Sequence, residues 1–179
     1  MWEIEQVIID GEAKVRFDRN GLVVLSRQEC LMLLAQASVG RVAVSMNALP
    51  AIFPVNFAML GEDVVFRTGT GTKLAAAVTN SVVAFEVDDF DYERRWGWSV
   101  MVVGTASEVM AAVDLEAAEQ LNLSPWAVGV HQTRFIRVDT RMVSGRRLVS
   151  DDELQPVHPA QGAALRTGTS QDGAHGHDQ

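Results

Sequence analysis

Between residues 41 and 109 the chain is a succession of strand-length apolar runs joined by turn residues. RVAVSM (41–46), AIFPVNFAML (51–60), DVVFRT (63–68), VVAFEVD (82–88) and WSVMVVGTASEV (98–109) are rich in Val, Ile and Phe, which fit a pleated, half-buried surface. Gly61-Glu62 falls between the second and third runs and reads as a tight hairpin turn. TRFIRVDTRMVSGRRLV (133–149) alternates well enough for a last strand or a bent strand pair. Six or so strands, mostly hairpin-linked, predict a mainly β fold with short α: a closed antiparallel barrel.

Three helical stretches interrupt this pattern. Ser26 and Glu29 have the spacing of a capping box, and CLMLLAQA (30–37) follows with helical periodicity, closed by Gly40. KLAAAV (73–78) is Ala-rich. Residues 112–121 form the third, with Asp114 and Glu116 near its N-terminus. The charged DFDYERRWG between two strands is expected to be a surface loop. Residues 1–21 read as an arm or a hairpin, with VIID and AKVRFD as short strands about Gly11. Residues 22–150 form one domain. Residues 151–179 hold almost no large apolar side chain, so they are expected to be a flexible tail in which His175 and His177 are solvated.

Composition narrows the function. Hydrophobic residues are 47% of the 179, enough for a sizeable core. Fifteen basic against 23 acidic residues leave a net charge of −8, with no basic face for a nucleic acid. Cys30 is the single cysteine, so an internal disulfide and a Cys-rich zinc site are excluded. No apolar run reaches the ~18 residues that span a bilayer, and the N-terminus is not a signal peptide. The expectation is a cytoplasmic protein that binds neither membrane nor nucleic acid.

GxSxG, HExxH, CxxC and Walker A patterns are absent. Four segments remain. FRTGTGTKL (66–74) joins a strand to a helix through alternating glycines. Arg67 and Lys73 supply charge, Thr68, Thr70 and Thr72 supply hydroxyls, and the helix start adds N–H groups. It reads either as a phosphate cradle or as a polar connection. Pro54 interrupts the ladder of a strand, which marks an edge, a bulge or a place where a ligand occupies the pairing position. Trp96-Gly97-Trp98-Ser99 could cover a ring system or a dimer partner, or pack a barrel end. Ser144-Gly145-Arg146-Arg147 could fix an anion or be solvated.

Taken in order, GRVAVS, LPAIFPVNF, FRTGTGTKL, AFEVDDFD, GWSVMVVGTASEV and SGRRLV resemble the pyridoxamine 5′-phosphate oxidase-like, FMN-binding split-barrel family, in its actinobacterial-type branch of small proteins. The resemblance covers about residues 22–150. It implies a six-stranded split barrel and a homodimer with FMN at the subunit interface. Pro54, Val55, Asn56 and Phe57 would lie along the isoalloxazine ring, their main chain meeting its polar edge. Arg67, Thr68, Lys73 and Leu74 would hold the ribityl chain and phosphate, with Thr72 as an extra donor. Trp98 and Ser99, and Arg146 after them, would approach from the partner subunit. The vitamin-processing members carry Arg-x-His for their substrate, where this chain has Arg137-Val138-Asp139. Pyridoxamine phosphate is therefore not the expected substrate.

The leading expectation is an FMN-dependent oxidoreductase acting on a small planar molecule such as a quinone or nitro compound. One alternative is a deazaflavin-dependent reductase, against which the net acidity weighs. The other is a non-catalytic flavin- or haem-binding carrier or sensor, with His131 or His158 as haem ligand.

Overall fold

The computed structural model describes residues 5–9, 13–123 and 132–149. In chain order the strands are β1 (Glu5–Ile9), β2 (Ala13–Phe17), β3 (Val23–Leu25), β4 (Val39–Met46), β5 (Leu49–Leu60), β6 (Asp63–Gly69), β7 (Ser81–Asp91), β8 (Trp96–Glu108), β9 (Thr133–Val138) and β10 (Met142–Arg147). The helices are α1 (Arg27–Gln36), α2 (Lys73–Val78) and α3 (Ala112–Gln120).

Six strands close into a ring. β8 pairs with β7, β7 with β4, β4 with β5, β5 with β6, and β6 with β9, which returns to β8, every pairing antiparallel. This is the expected six-stranded barrel. β10, β3, β2 and β1 continue the sheet outward from β8. The first segment thus forms strands, β1 and β2; its Gly11 turn lies outside the described residues, as do the 151–179 tail and all four histidines.

The predicted bent strand pair is β9 and β10. Both run antiparallel to β8, with Val138 opposite Ala106 and Met142 opposite Val103. Three residues of the bent strand thus face two of β8, the count of a bulge. Asp139 fixes the bend by accepting from the Thr105 N–H at 3.0 Å. Thr140, 1% exposed, donates to the Glu62 carbonyl at 2.8 Å and pins the bend to the β5–β6 hairpin.

Inward-facing Val42, Val64, Phe66, Phe85, Val100, Val102, Ile136 and Val138 are fully buried in the barrel. Each contributes about 1.5–3 kcal/mol by leaving water. α1 adds Cys30 and Leu34, and the expected capping box is formed, with Ser26 and Glu29 each satisfying the other's main-chain N–H. A second cluster, Val65, Val109, Ala118, Leu123 and Phe135, fills the space under α3.

Two expectations are corrected, and one turn is new. Gly40 does not close α1, which ends at Gln36. It lies inside β4, where a Cβ would overlap the Phe85 ring. The 89–97 segment is not a loop, because β7 and β8 run on until Asp91 faces Trp96, leaving four residues of turn. A tight turn at Asn47-Ala48 (φ 50° and 63°) joins β4 and β5, where the sequence had shown only a gap between strands.

Candidate functional site

β5 has an open edge. β4 pairs with it over Leu49–Asn56, but β6 pairs only with Phe57–Leu60. Beyond Phe57 the two strands part, and among the described residues no strand covers the far side of residues 49–56. The Phe57 N–H donates to the Ser38 carbonyl at 3.0 Å. Main-chain groups alternate sides along a strand. Val55 and Phe57 therefore turn their N–H and C=O toward β4, while Pro54 and Asn56 turn theirs to the open edge. Pro54 is tolerated because its missing N–H falls on the unpaired side.

Side chains alternate as well. Val55 and Phe57 are 7% and 2% exposed, and the Phe57 ring meets Phe85 edge-on with centroids 4.9 Å apart. These two expected ring contacts are core residues. Pro54 is exposed and Asn56 half-buried on the outer face.

The parting of the strands ends at the β6–α2 turn. Arg67 is held in place: its Nε donates to Thr133 Oγ1 at 2.7 Å, Nη1 to the Leu123 carbonyl at 3.3 Å, and the guanidinium stands over the Phe135 ring. Thr133 is a positioning partner that the sequence alone did not single out. Gly71 takes φ +77° to make the turn. The threonine hydroxyls are committed within the protein. Thr70 donates to the Gln132 carbonyl at 2.8 Å. Thr72 donates to Gly69 O at 2.9 Å and, as the N-cap of α2, accepts from the Ala75 N–H. Thr68 lies 3.2 Å from Thr72 Oγ1. α2 is six residues long and one of its early N–H groups is already taken, so fewer donors are available here than the sequence had suggested. Lys73 is exposed at the start of α2, and Leu74 packs against the core.

Trp98, Ser99 and Arg146 form a separate group on β8 and β10. Trp98 is 7% exposed inside the barrel core, so its ring packs within its own protomer. Ser99 faces outward, directly opposite Arg146 in the ladder. Arg146 Nε donates to Asp18 Oδ2 at 2.9 Å and Nη1 to the Gly145 carbonyl. Burial pulls the Asp18 carboxyl up, but Arg146 and the N–H groups of Leu22 and Asn20 together hold it below its ordinary value.

The two groups share one outer face. Across the ladders Pro54 stands opposite Arg41, Arg41 opposite Glu86, Glu86 opposite Met101 and Met101 opposite Ser144. The neighbouring row is Ile52, Ala43, Ala84, Val103 and Met142. At the centre Arg41 pairs with Asp88 and, at 3.2 Å, with Glu86. Burial and the adjacent Asp88 push the Glu86 carboxyl up. Ile52 and Met142 are 66% and 67% exposed, so the face is an apolar surface around one charged cluster.

Arg137 and Asp139, which stand where the vitamin-processing pattern has Arg-x-His, serve the fold. Arg137 Nη2 pairs with Asp114 of α3 at 3.0 Å. Hydrogen bonding from Arg141 holds the Asp139 carboxyl down at about 2.

Comparison with known proteins accords with the six-stranded barrel. The family model described as pyridoxamine 5′-phosphate oxidase matches residues 26–147. The chain belongs to this family. An uncharacterized protein of Mycobacterium tuberculosis is 39% identical over 135 residues, 73% of this chain and 88% of the relative. The FAD binding protein from Mycobacterium smegmatis superposes with a TM-score of 0.63 at 40% identity, covering 70% of this chain and 99% of that one. An FAD-binding protein from Mesorhizobium loti gives a TM-score of 0.58 at 25% identity, covering 71% and 98%. The family's split barrel is thus the fold of this chain. Among the described residues no helix is long and apolar enough to cross a membrane.

Proposed function

We propose that the chain is a flavin-dependent oxidoreductase that holds FMN where β5 and β6 part, at the interface of a homodimer, and serves a small planar, electron-poor substrate. The observation that carries this reading is the open edge of β5 ending beside Arg67 and Lys73. A strand edge that no other strand covers can offer main-chain hydrogen bonds to the polar edge of a flat heterocycle, and Pro54 keeps another strand from taking its place. Two cations at the far end suit a phosphate. The donor set therefore fits the group. When bound, the flavin supplies hydride transfer at its N5.

The remaining roles belong to the chain. Pro54 and Asn56 meet the ring through main chain, while Val55 and Phe57 anchor that strand in the core. Thr133 and Phe135 hold the Arg67 guanidinium in place. Lys73 reaches the phosphate from solvent, and Thr68 and Thr72 shape the turn beneath it. Leu74 packs the turn onto the barrel. Ser99 and Arg146 approach from the partner subunit, with Trp98 bracing their strand. A two-fold axis running along the central strands β4 and β7 would lay β5 of one protomer over β8 and β10 of the other, completing each site twice. The two named FAD-binding neighbours support a flavin over a deazaflavin or haem.

Lys73→Ala tests the reading. FMN carries a phosphate and riboflavin does not. A charge-assisted hydrogen bond contributes about 1.5–3 kcal/mol, so FMN affinity should fall roughly 10–100-fold with riboflavin affinity unchanged. Fluorescence titration of both ligands decides it. Equal losses would mean that Lys73 acts through structure, and the phosphate assignment would fall.

A further inference from the structure

A hollow of about 390 Å³ lies beside the turn at residues 18–21, against β3 and β10. Its size falls within the range of small-molecule sites, roughly 300–1,000 Å³. Val24, Leu25 and Val143 give it an apolar wall. Asn20 and Ser144 bring polar side chains, and Arg19 and Arg146 bring two cations. Asp18 shapes the rim: its carboxylate accepts from the N–H groups of Asn20 at 2.9 Å and Leu22 at 3.1 Å, and from Arg146 Nε. The negative charge of Asp18 is thus met by Arg146 of β10 together with two N–H groups of the turn. Arg19 and Arg146 against Asp18 leave the hollow a surplus positive charge, and the Arg146 guanidinium is held by two hydrogen bonds before any ligand arrives.

We infer that this hollow is a second binding site, which takes the adenosine-phosphate end of a dinucleotide. The inference rests on the flavin reading above, because Arg146 lines the hollow and stands opposite Ser99, the residue assigned there to the flavin. The lining matches the ligand part by part. An apolar wall and a guanidinium plane accept the face of a nucleobase. The amide of Asn20 offers one donor and one acceptor, the pair that adenine presents in complement at N7 and N6. Arg19 and Arg146 suit a phosphate ester. Two dinucleotides carry this chemistry: FAD, whose flavin half would occupy the first site, and a nicotinamide dinucleotide acting as electron donor.

Asn20→Asp is the informative variant. It keeps the size of the side chain at an exposed position and removes the NH2 donors of the amide, while placing a negative charge beside the phosphate. AMP is the probe, titrated into the full chain by calorimetry, with FMN, FAD and NADPH titrated alongside. The expected result is AMP binding that weakens about tenfold or more in the variant, with FMN affinity unchanged. If FAD is the source, it binds tighter than FMN to the wild type and loses that advantage in the variant. If the nicotinamide dinucleotide is the source, FAD and FMN bind alike, and AMP competes with NADPH. No AMP binding at 10 mM, or equal loss of AMP and FMN in the variant, overturns the inference. Should the wild type bind no flavin at all, the flavin reading fails by itself, and the AMP titration still decides the hollow.

Discussion

Asp139 is the residue on which the β9–β10 bend depends. It accepts from the Thr105 N–H at 3.0 Å and pairs with Arg141 at 2.9 Å, which brings its carboxyl down to about 2. A carboxyl lowered on folding stabilises the fold above its unfolded value near 4, and that contribution is lost as pH falls through about 2. Asp139→Asn keeps an acceptor for Thr105 and removes the charge. After allowance for partial exposure the variant should lose about 1 kcal/mol at pH 7, near 3 °C in melting temperature. The difference from wild type should narrow between pH 4 and pH 2. Urea unfolding across that range checks it, and a difference that stays constant with pH would remove the charge from the account. At this scale the sequence was a partial guide. It marked Arg67 and Lys73 by charge and Pro54 by its missing donor. It could not show that Thr68, Thr70 and Thr72 spend their hydroxyls on one another and on nearby carbonyls, because that depends on how tightly the turn closes. Nor did it mark Asn20 or Thr133, whose importance comes from neighbours more than 60 residues away.

At the scale of elements, two glycines carry close approaches that hydrophobic pattern does not record. A Cβ at Gly104 would overlap the main-chain carbonyl of Asp139, where the bent strand crosses β8. A Cβ at Gly40 would overlap the side chain of Phe85, which is fully buried. Overpacking of this kind costs about 1–3 kcal/mol where side chains can shift. Gly40→Ala should fall in that range. Gly104→Ala should be worse, since a backbone bulge must move, and its barrel should close less firmly through β9. Chemical denaturation of both variants orders them, and a Gly104→Ala protein more stable than Gly40→Ala would sink the argument. The same distinction explains what was legible. Strand existence followed from alternating Val, Ile and Phe, and α1 from the reciprocal Ser26–Glu29 cap. Gly40 was misread because a glycine after a helical run is usually a terminator. The 89–97 segment was misread because its charges belong to an exposed sheet extension, and periodicity does not separate that from a loop.

The whole molecule leaves one requirement open within a single chain. The open edge of β5 and the Ser99–Arg146 group occupy opposite sides of one outer face, three strand spacings apart or about 14 Å, with the Arg41–Glu86–Asp88 cluster between them and an apolar row beside it. Isolated apolar side chains on a surface need no explanation, but a contiguous row does. Ile52, Ala43, Ala84, Val103 and Met142 run across five strands without a charge, and covering them with a second copy would bury the row and bring the two halves of each site together. Obligate homodimer interfaces exceed about 2,000 Å² in total, an area that a face five strands wide can supply. The protein should therefore sediment at twice its chain mass of 19.5 kDa at micromolar concentration. Ile52→Glu places a charge at the β5 end of the row, on a side chain that is 66% exposed in the single chain. Within one protomer such a change should alter stability by no more than about 0.5 kcal/mol. In the dimer it would bury an unpaired carboxylate, which is costly. The expected outcome is a folded monomer, with native circular dichroism, that has lost at least tenfold in flavin affinity. Sedimentation and flavin titration on the same sample test both parts. A wild type that stays monomeric, or an Ile52→Glu dimer with full flavin affinity, would show that the site is completed within one chain and that the apolar row serves another purpose.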